Sequence, residues 1–475
     1  MLKSSQPATQ RESSQPATQR AEVPRQPGRV SRRAHGSRAR KAFWQSWPAL
    51  GLVAAMVALA ASACTSGGSG GSGGTTSNGK TVVTFANWAD AEQNTHPGID
   101  AAIKQFEKLH PNIVIKSEPI SFTDIDHQLL LEVRSGNAPD VAELQGDYTY
   151  DQAATGDLQP LSSYMTSQWR GQIIPRELNL GTISGQQVAI PWTVGPYALW
   201  YNKNVMQKAG LSPTPPSTWT QLLADAKTIH AKEPKVITFG IDSTTREYAL
   251  DQDWPIMKSL GGEPFSGSKA TANTPGVKDF LTFMRTAAKD GYTPEGQKAG
   301  YFRQPAASNQ VAFTVDGPYV KGVVQSLNKV SDQQFYQTWG VTQLPAGPSG
   351  QHYSAPTDHQ LVMFKNAPDK QAAWEFMSWL ATSNWAVLNY TLKYENSIPP
   401  LASPSGAVAA QLNNPIAKSF EQDIIPTVMS PAWGTHYSSA YLDFTSAVQQ
   451  AMTTSTPIPS IASSLQSKIT TDLAG

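Results

Sequence analysis

Thr81-Val82-Val83-Thr84-Phe85-Ala86, then Gly98–His110, then Ile113–Ile120 decide the fold. The first is a short apolar run with the length and β-branched content of a buried strand. In the second, Ile99, Ile103, Phe106 and Leu109 recur every three or four positions, which puts them on one face of a helix. Pro111 stops that helix, because it has no N–H to donate. The third alternates as a strand. The alternation continues. Asp124–Ser135 reads as a helix with Ile125, Leu129 and Val133 inside, and Asp140–Leu144 as a strand. Further strands are predicted near Val188–Pro191, Ala198–Asn202, Val236–Ile241, Val311–Val315 and Leu361–Phe364. Helices are predicted over Ser217–Ala231 (capped by Ser217 or Thr218), Asp369–Ala381 and Tyr437–Met452. Strand–helix alternation implies α/β layers. The span from Lys80 onward, about 400 residues, is too long for one such core, so two lobes are expected.

Upstream lies a different kind of sequence. Residues 1–47 hold ten Lys or Arg and two Asp or Glu, out of 37 and 36 in the whole chain. The remainder is therefore acidic, with 27 basic and 34 acidic residues, and has no basic run. That argues against a nucleic-acid partner. Residues 4–11 repeat as 13–20, a polar, Pro-containing octapeptide that cannot bury a core. A basic stretch, Arg29 to Lys41, precedes an apolar run, Pro48 to Ala63, that ends in small residues just before Cys64. This is the pattern of a secretory signal, and it is short for a membrane span. Cys64 is the only cysteine, which excludes a disulfide framework and a Cys-based zinc site. Its setting resembles a bacterial lipobox, which implies cleavage before Cys64 and lipid on its thiol; Ala61 stands where that pattern usually has Leu. Residues 65–79 are Gly, Ser, Thr and one Asn, a flexible tether.

The body resembles a known family. Pro139-Asp140-Val141-Ala142-Glu143-Leu144 is followed by Gly156-Asp157-Leu158-Gln159-Pro160-Leu161, Val188-Ala189-Ile190-Pro191-Trp192, Leu199-Trp200-Tyr201-Asn202-Lys203 and Ala209-Gly210-Leu211. Then come Pro215-Pro216-Ser217-Thr218-Trp219, Asp316-Gly317-Pro318-Tyr319 and Gly340-Val341-Thr342-Gln343-Leu344-Pro345. Each is weak alone. In this order they resemble the family 1 extracellular solute-binding proteins over nearly all of residues 80–475. The resemblance implies a two-lobed, type II periplasmic-binding-protein-like fold with hinge-linked discontinuous lobes. By motif position the lobes are 80–196 plus 345–400 and 197–342 plus 402–475, with crossings near 195–199, 341–345 and 398–402. It also implies capture of a small solute, a sugar or oligosaccharide, in the inter-lobe cleft and delivery to the permease subunits of an ABC importer. The expected protein is a monomer, uses no cofactor and is held to the membrane through Cys64.

Binding a sugar needs flat aromatic faces for its C–H surface and carboxylates or amides for its hydroxyls. The resemblance directs attention to the loop after the first strand, with Trp88 and Asp90, and to the loop after the third, with Gln145, Asp147 and Tyr148. It also selects Trp192 and Tyr197 at the first crossing, Asp251 and Trp254 in the second lobe, Asp316, Gly317 and Tyr319 in the Asp-Gly-Pro-Tyr motif, and Trp433. Asp358-His359 departs from the small residues usual at that loop, and Asp358 is added as a ligand contact or a local salt bridge. His352 and His359 are seven apart, a spacing that leaves a metal site open, though none is expected. Two rivals remain: a secreted carbohydrate-active hydrolase, for which no catalytic pair stands out, and a solute sensor for a membrane receptor. No His-Glu-x-x-His is present, and the strings that fit Gly-x-Ser-x-Gly (67–71 and 70–74) and Gly-x4-Gly-Lys-Thr (74–81) fall in the tether and its junction with the first strand, without the strand–loop–helix setting that either motif requires.

Overall fold

The computed structural model describes residues 79–433 and 437–474. The leader, Cys64 and residues 65–78 lie outside the described residues. Two sheets organise the rest. The first has the order β2-β1-β3-β9-β4, with β1 Thr81–Asn87, β2 Ile113–Pro119, β3 Val141–Gln145, β4 Ala189–Thr193 and β9 His359–Met363. β1 runs parallel to β2 and β3, and β9 runs antiparallel to β3 and β4. The second has the order β8-β5-β7-β6, with β5 Ala198–Asn202, β6 Ile237–Gly240, β7 Val311–Asp316 and β8 Trp339–Thr342.

Each sheet is apolar on both faces because helices cover both. In β9, Leu361 and Met363 face one core, with Phe85, Ile99, Phe106 and Phe376, while Val362 faces the other, with Ala86, Leu129 and Leu144. In β5, Leu199 faces one core of the second lobe, and Ala198 and Trp200 the other. The predicted helices form as α1 His96–Leu109, α2 Ile125–Ser135, α4 Trp219–Lys232, α7 Lys370–Thr382 and α8 Ser438–Thr453, while α3 Gly146–Ala154 and α5 Glu247–Ser259 carry cleft residues. Thr218, not Ser217, caps α4, its hydroxyl accepting from the Gln221 N–H at 3.2 Å. Two long helices were not anticipated: α6 Pro275–Lys289 and α9 Ile458–Asp472. The latter is rich in Ser and Thr, which compete with the helix for backbone hydrogen bonds. It forms because Ile461, Leu465 and Ile469 bury against the second-lobe core.

Three chain segments cross between the lobes side by side. Val194 and Ile398 bridge through reciprocal hydrogen bonds of 2.7 and 3.2 Å, Tyr197 N–H donates to Ala355 at 3.0 Å, and Thr357 N–H donates to Gly195 at 3.1 Å. The second crossing lies at Ala355–Asp358, not at 341–345. β8 pairs with β5, and the following loop stays with the second lobe through Thr218–Ala346 and Ser354–Val428 bridges. Two residues expected at the ligand belong to cores. Trp192 shares a strand face with Ile190 and stacks on Tyr390 at 4.9 Å and 12°, fully buried. Tyr197 is sealed in the second-lobe core with Leu199.

Candidate functional site

The register of β3 against β9 builds the floor of the cleft. His359 pairs with Gln145, and Leu361 with Glu143. Period two puts Glu143, Gln145 and His359 on one face, past the point where Val141 and Leu361 enter the core. The Glu143 carboxylate accepts the Trp88 and Ala89 N–H groups on Oε2, both at 3.1 Å. It thereby fixes the loop that carries Trp88 and Glu92. Its Oε1 lies 2.9 Å from His359 Nδ1, a close contact off the line of the ring N–H. Glu395 Oε1 lies 3.5 Å from the same nitrogen, and the Tyr390 hydroxyl donates to Glu395 Oε2 at 3.1 Å. Both belong to a π-helical segment, Val387–Glu395.

Burial sets the protonation of this cluster. It pushes the Glu143 carboxyl well above its ordinary range, with the Glu92 charge adding to the effect and the backbone donors opposing it. Burial likewise pushes Glu395 up to about 7, helped by the charges of Glu143 and Glu92 and opposed by His359 and Tyr390. Burial lowers His359, against the pull of Glu395 and Glu92. Glu395 therefore binds its proton more tightly folded than unfolded. Its contribution to stability is complete below its unfolded value of 4.5 and is lost as pH rises through about 7. Glu395→Gln, which cannot ionise, should thus gain stability relative to the parent between pH 5 and pH 8, by on the order of 1–3 kcal/mol. Thermal melts of both proteins across that range test this, and a difference that does not change with pH would refute it.

Aromatic rings wall the floor. Trp88 stands edge-on to His359 at 4.9 Å and to Phe122 at 5.3 Å. From the second lobe, Tyr319 stacks on His359 at 5.3 Å and 22°, and its hydroxyl donates to the Thr357 carbonyl at 2.6 Å. The Arg303 guanidinium also lines this compartment, held by Asp316 through hydrogen bonds of 3.0 and 3.1 Å. A second compartment continues the cleft, lined by Asp147, Asp151, Leu250, Asp251, Trp433 and Tyr441. Between the two, Gln145 Nε2 donates to Asp251 Oδ2 at 3.0 Å, a bond from lobe to lobe. The upper compartment holds about 80 Å³. That is well below the roughly 300 Å³ at which small-molecule pockets begin. The lobes meet across the cleft through the Gln145–Asp251 hydrogen bond.

Of the residues selected from sequence, Trp88, Gln145 and Tyr319 line the upper compartment, and Asp147, Asp251 and Trp433 the lower. The others sit elsewhere. Asp90 accepts from Ser117 at 2.6 Å and lies 2.5 Å from His96, tying its loop to β2 and the start of α1. Tyr148 packs on Phe122 at 5.5 Å, behind the wall. Trp254 is in the second-lobe core, its indole N–H donating to Glu263 at 2.8 Å. Asp316 is spent on Arg303. Gly317 lets Tyr319 fold back, since a Cβ there would meet the ring at 2.7 Å. Asp358 is buried at the hinge, accepting the Gly195 N–H at 2.7 Å. Burial and the nearby Glu177 hold its carboxyl well above the usual range. His352 turns Nδ1 to the Leu344 carbonyl oxygen at 2.7 Å, away from the cluster around His359. Sequence reading missed Glu92, Phe122, Arg303 and Glu395 as lining residues. Glu92 was in view, four residues past Trp88, where a helical turn returns it to the same side.

Residues 90–386 match the family model described as bacterial extracellular solute-binding protein. An uncharacterized ABC transporter extracellular-binding protein of Pyrococcus horikoshii is 23% identical over 393 residues, which cover 79% of this chain and 84% of the relative. Among solved structures, the cyclic alpha-maltosyl-1,6-maltose binding protein of Arthrobacter globiformis matches at a TM-score of 0.68 and 20% identity, covering 83% of this chain and 99% of that one. The GacH receptor of Streptomyces glaucescens, solved unliganded and with acarbose, matches at 0.72 and 18% identity, with 83% and 98% covered. At such identities the structural likeness establishes the fold.

Proposed function

This chain belongs to the bacterial extracellular solute-binding protein family, and we propose that it captures a sugar or oligosaccharide and hands it to the permease subunits of an ABC importer. The family binds solutes and is not a family of enzymes, so the hydrolase reading falls away. The fold is the type II periplasmic-binding-protein fold. Periplasmic binding proteins are themselves a standard example of hinge closure around a ligand held in a cleft. The observation that carries the sugar reading is the cleft itself, which sets Trp88, Tyr319 and Trp433 beside carboxylates from both lobes. Carbohydrate ligands named for the two solved structures support it.

The test is thermal unfolding with a panel of mono- and oligosaccharides, alongside a check that none is converted. A ligand at 100 times its dissociation constant adds about 2.7 kcal/mol. Trp433→Ala should weaken that binding by about 1 kcal/mol or more if the ring stacks on the ligand; unchanged affinity with lowered stability would return Trp433 to a packing role. Absence of a shift across the panel would sink the sugar reading. Anchoring through lipid on Cys64 would keep the body near its permease. Mass spectrometry of the membrane fraction should show the diacylated N-terminal peptide, and Cys64→Ala should release the protein; a soluble parent protein would remove the anchor and leave the binding reading intact.

A further inference from the structure

The upper compartment gathers three carboxyl groups around one imidazole. Glu143 is used internally, with Oε2 on two backbone N–H groups and Oε1 against His359. Glu395 accepts from Tyr390 on Oε2, while its Oε1 lies 3.5 Å from His359 Nδ1 and takes no hydrogen bond among the described residues; the residue lines the pocket. The Glu92 carboxylate takes no hydrogen bond among the described residues, although it is close enough for its charge to act on Glu143, His359 and Glu395. His359 is 6% exposed. Its Nδ1 is sealed against the two glutamates, no hydrogen bond to Nε2 is found among the described residues, and the residue lines the pocket. The Arg303 guanidinium in this compartment is paired with Asp316 through two hydrogen bonds.

We infer that this compartment receives a protonated amine carried on the sugar, with Glu92 and Glu395 as its carboxylate partners and Trp88, Phe122 and Tyr319 as its walls. The inference rests on the solute-binding reading above and narrows its ligand class. A neutral hydroxyl offers one donor and no charge, so it neither pairs with the Glu92 carboxylate as an ion nor favours ionisation of the buried Glu395 carboxyl. An ammonium offers three donors and the missing charge. Aromatic faces attract the same group through their quadrupoles. A metal ion is a poorer occupant: among the described residues, no three His, Cys, Asp or Glu side chains are placed to hold one. Burial that keeps Glu395 near 7 also has a consequence. A cation at Oε1 drives that carboxyl to ionise, so binding at pH 6 should release a proton. The groups facing it are Glu143, Glu92, His359 and Tyr390 from the first lobe, and Tyr319 and Arg303 from the second.

The experiment compares three probes of one backbone by calorimetry: chitosan oligomers, which carry the amine, chitin oligomers of equal length, in which it is acetylated, and cello-oligomers, which carry a hydroxyl there; glucosamine, N-acetylglucosamine and glucose form a second set. The amine member should bind at least about tenfold more tightly than both partners, the scale of a charge-assisted hydrogen bond. In buffers of different ionisation enthalpy at pH 6 it should release protons. Glu92→Gln with Glu395→Gln should bring the ratio between amine and hydroxyl probes towards one, and Glu92→Gln alone, at a half-exposed position, should lower it without touching the core. Equal or tighter binding of the neutral probes would overturn the inference and leave sugar capture standing. A ratio unchanged in the double variant would overturn it as well. Failure of every probe in both sets would remove the amine and weigh against the sugar reading itself.

Discussion

Trp192→Ala should lower the free energy of unfolding by about 3–5 kcal/mol, the cost of emptying a large buried aromatic site. The ring is fully buried, stacks on Tyr390 and meets Phe85 edge-on at 6.2 Å. It lies in the first-lobe core and on neither compartment of the cleft. The expected signature is therefore a large loss in urea or guanidinium midpoint, with affinity retained at temperatures where the variant is folded. Tyr390 complicates the result in a useful way. Its hydroxyl holds Glu395, so some loss of binding can accompany the loss of stability. Trp192→Phe fills part of the space and should recover binding before it recovers full stability. A variant with full stability and lost affinity would return Trp192 to the ligand.

Gly146→Val should keep the cleft open. Gly146 begins α3, directly after β3, and a Cβ there would meet the Trp433 ring at 2.6 and 2.7 Å. Its backbone is not left-handed, so a side chain is resisted by the opposite lobe alone. Overpacking of this kind costs about 1–3 kcal/mol, and parting the lobes relieves it. The cost therefore falls on the closed state, and affinity should drop by about tenfold to a hundredfold. Melting temperature without ligand should change little. Small-angle scattering should show a larger radius of gyration than for the parent and no contraction on adding ligand. Trp433→Ala in the same chain should restore closure, since it removes the ring that the new methyls strike. Persistent opening in that double variant would mean that the obstacle lies elsewhere.

Much of the fold was legible because periodicity is local. Every strand of the two sheets except β8, whose Trp-Gly-Val-Thr was read as a crossing and not as a strand, falls within a few residues of an apolar run in the sequence, and α1, α2, α4, α7 and α8 follow their own apolar stripes. The lobe boundary was less legible. The second crossing was displaced by about ten residues because edge pairing of β8 and the bridges from Ala346 and Ser354 hold that loop to the second lobe. Neither contact leaves a pattern in the loop's own composition. α9 was overlooked for a related reason: its Ser and Thr content is poor for a helix, and long-range packing overrides it.

The site divides along the same line. Sequence by itself carried the strand–helix alternation of an α/β protein and a length that calls for two lobes, and its resemblance to a known family directed attention to Trp88, Gln145, Asp147, Asp251, Tyr319 and Trp433, which line the two compartments. Those residues stand beside the motifs that carry the family resemblance, and it was the resemblance that pointed to them. Only the tertiary structure decided which rings are buried and which carboxyls are spent. Trp192 and Trp88 look alike in sequence, yet Trp192 is sealed within the first-lobe core, while Trp88, just past the end of β1 and packed on a core of its own, still reaches the pocket. Glu143, His359 and Glu395 are far apart in the chain, yet antiparallel pairing of β9 with β3 and the docking of the π-helical segment that ends in Glu395 bring them into contact. Their charge state depends on one another and on exclusion of water, and both are properties of the packed molecule rather than of any segment of it.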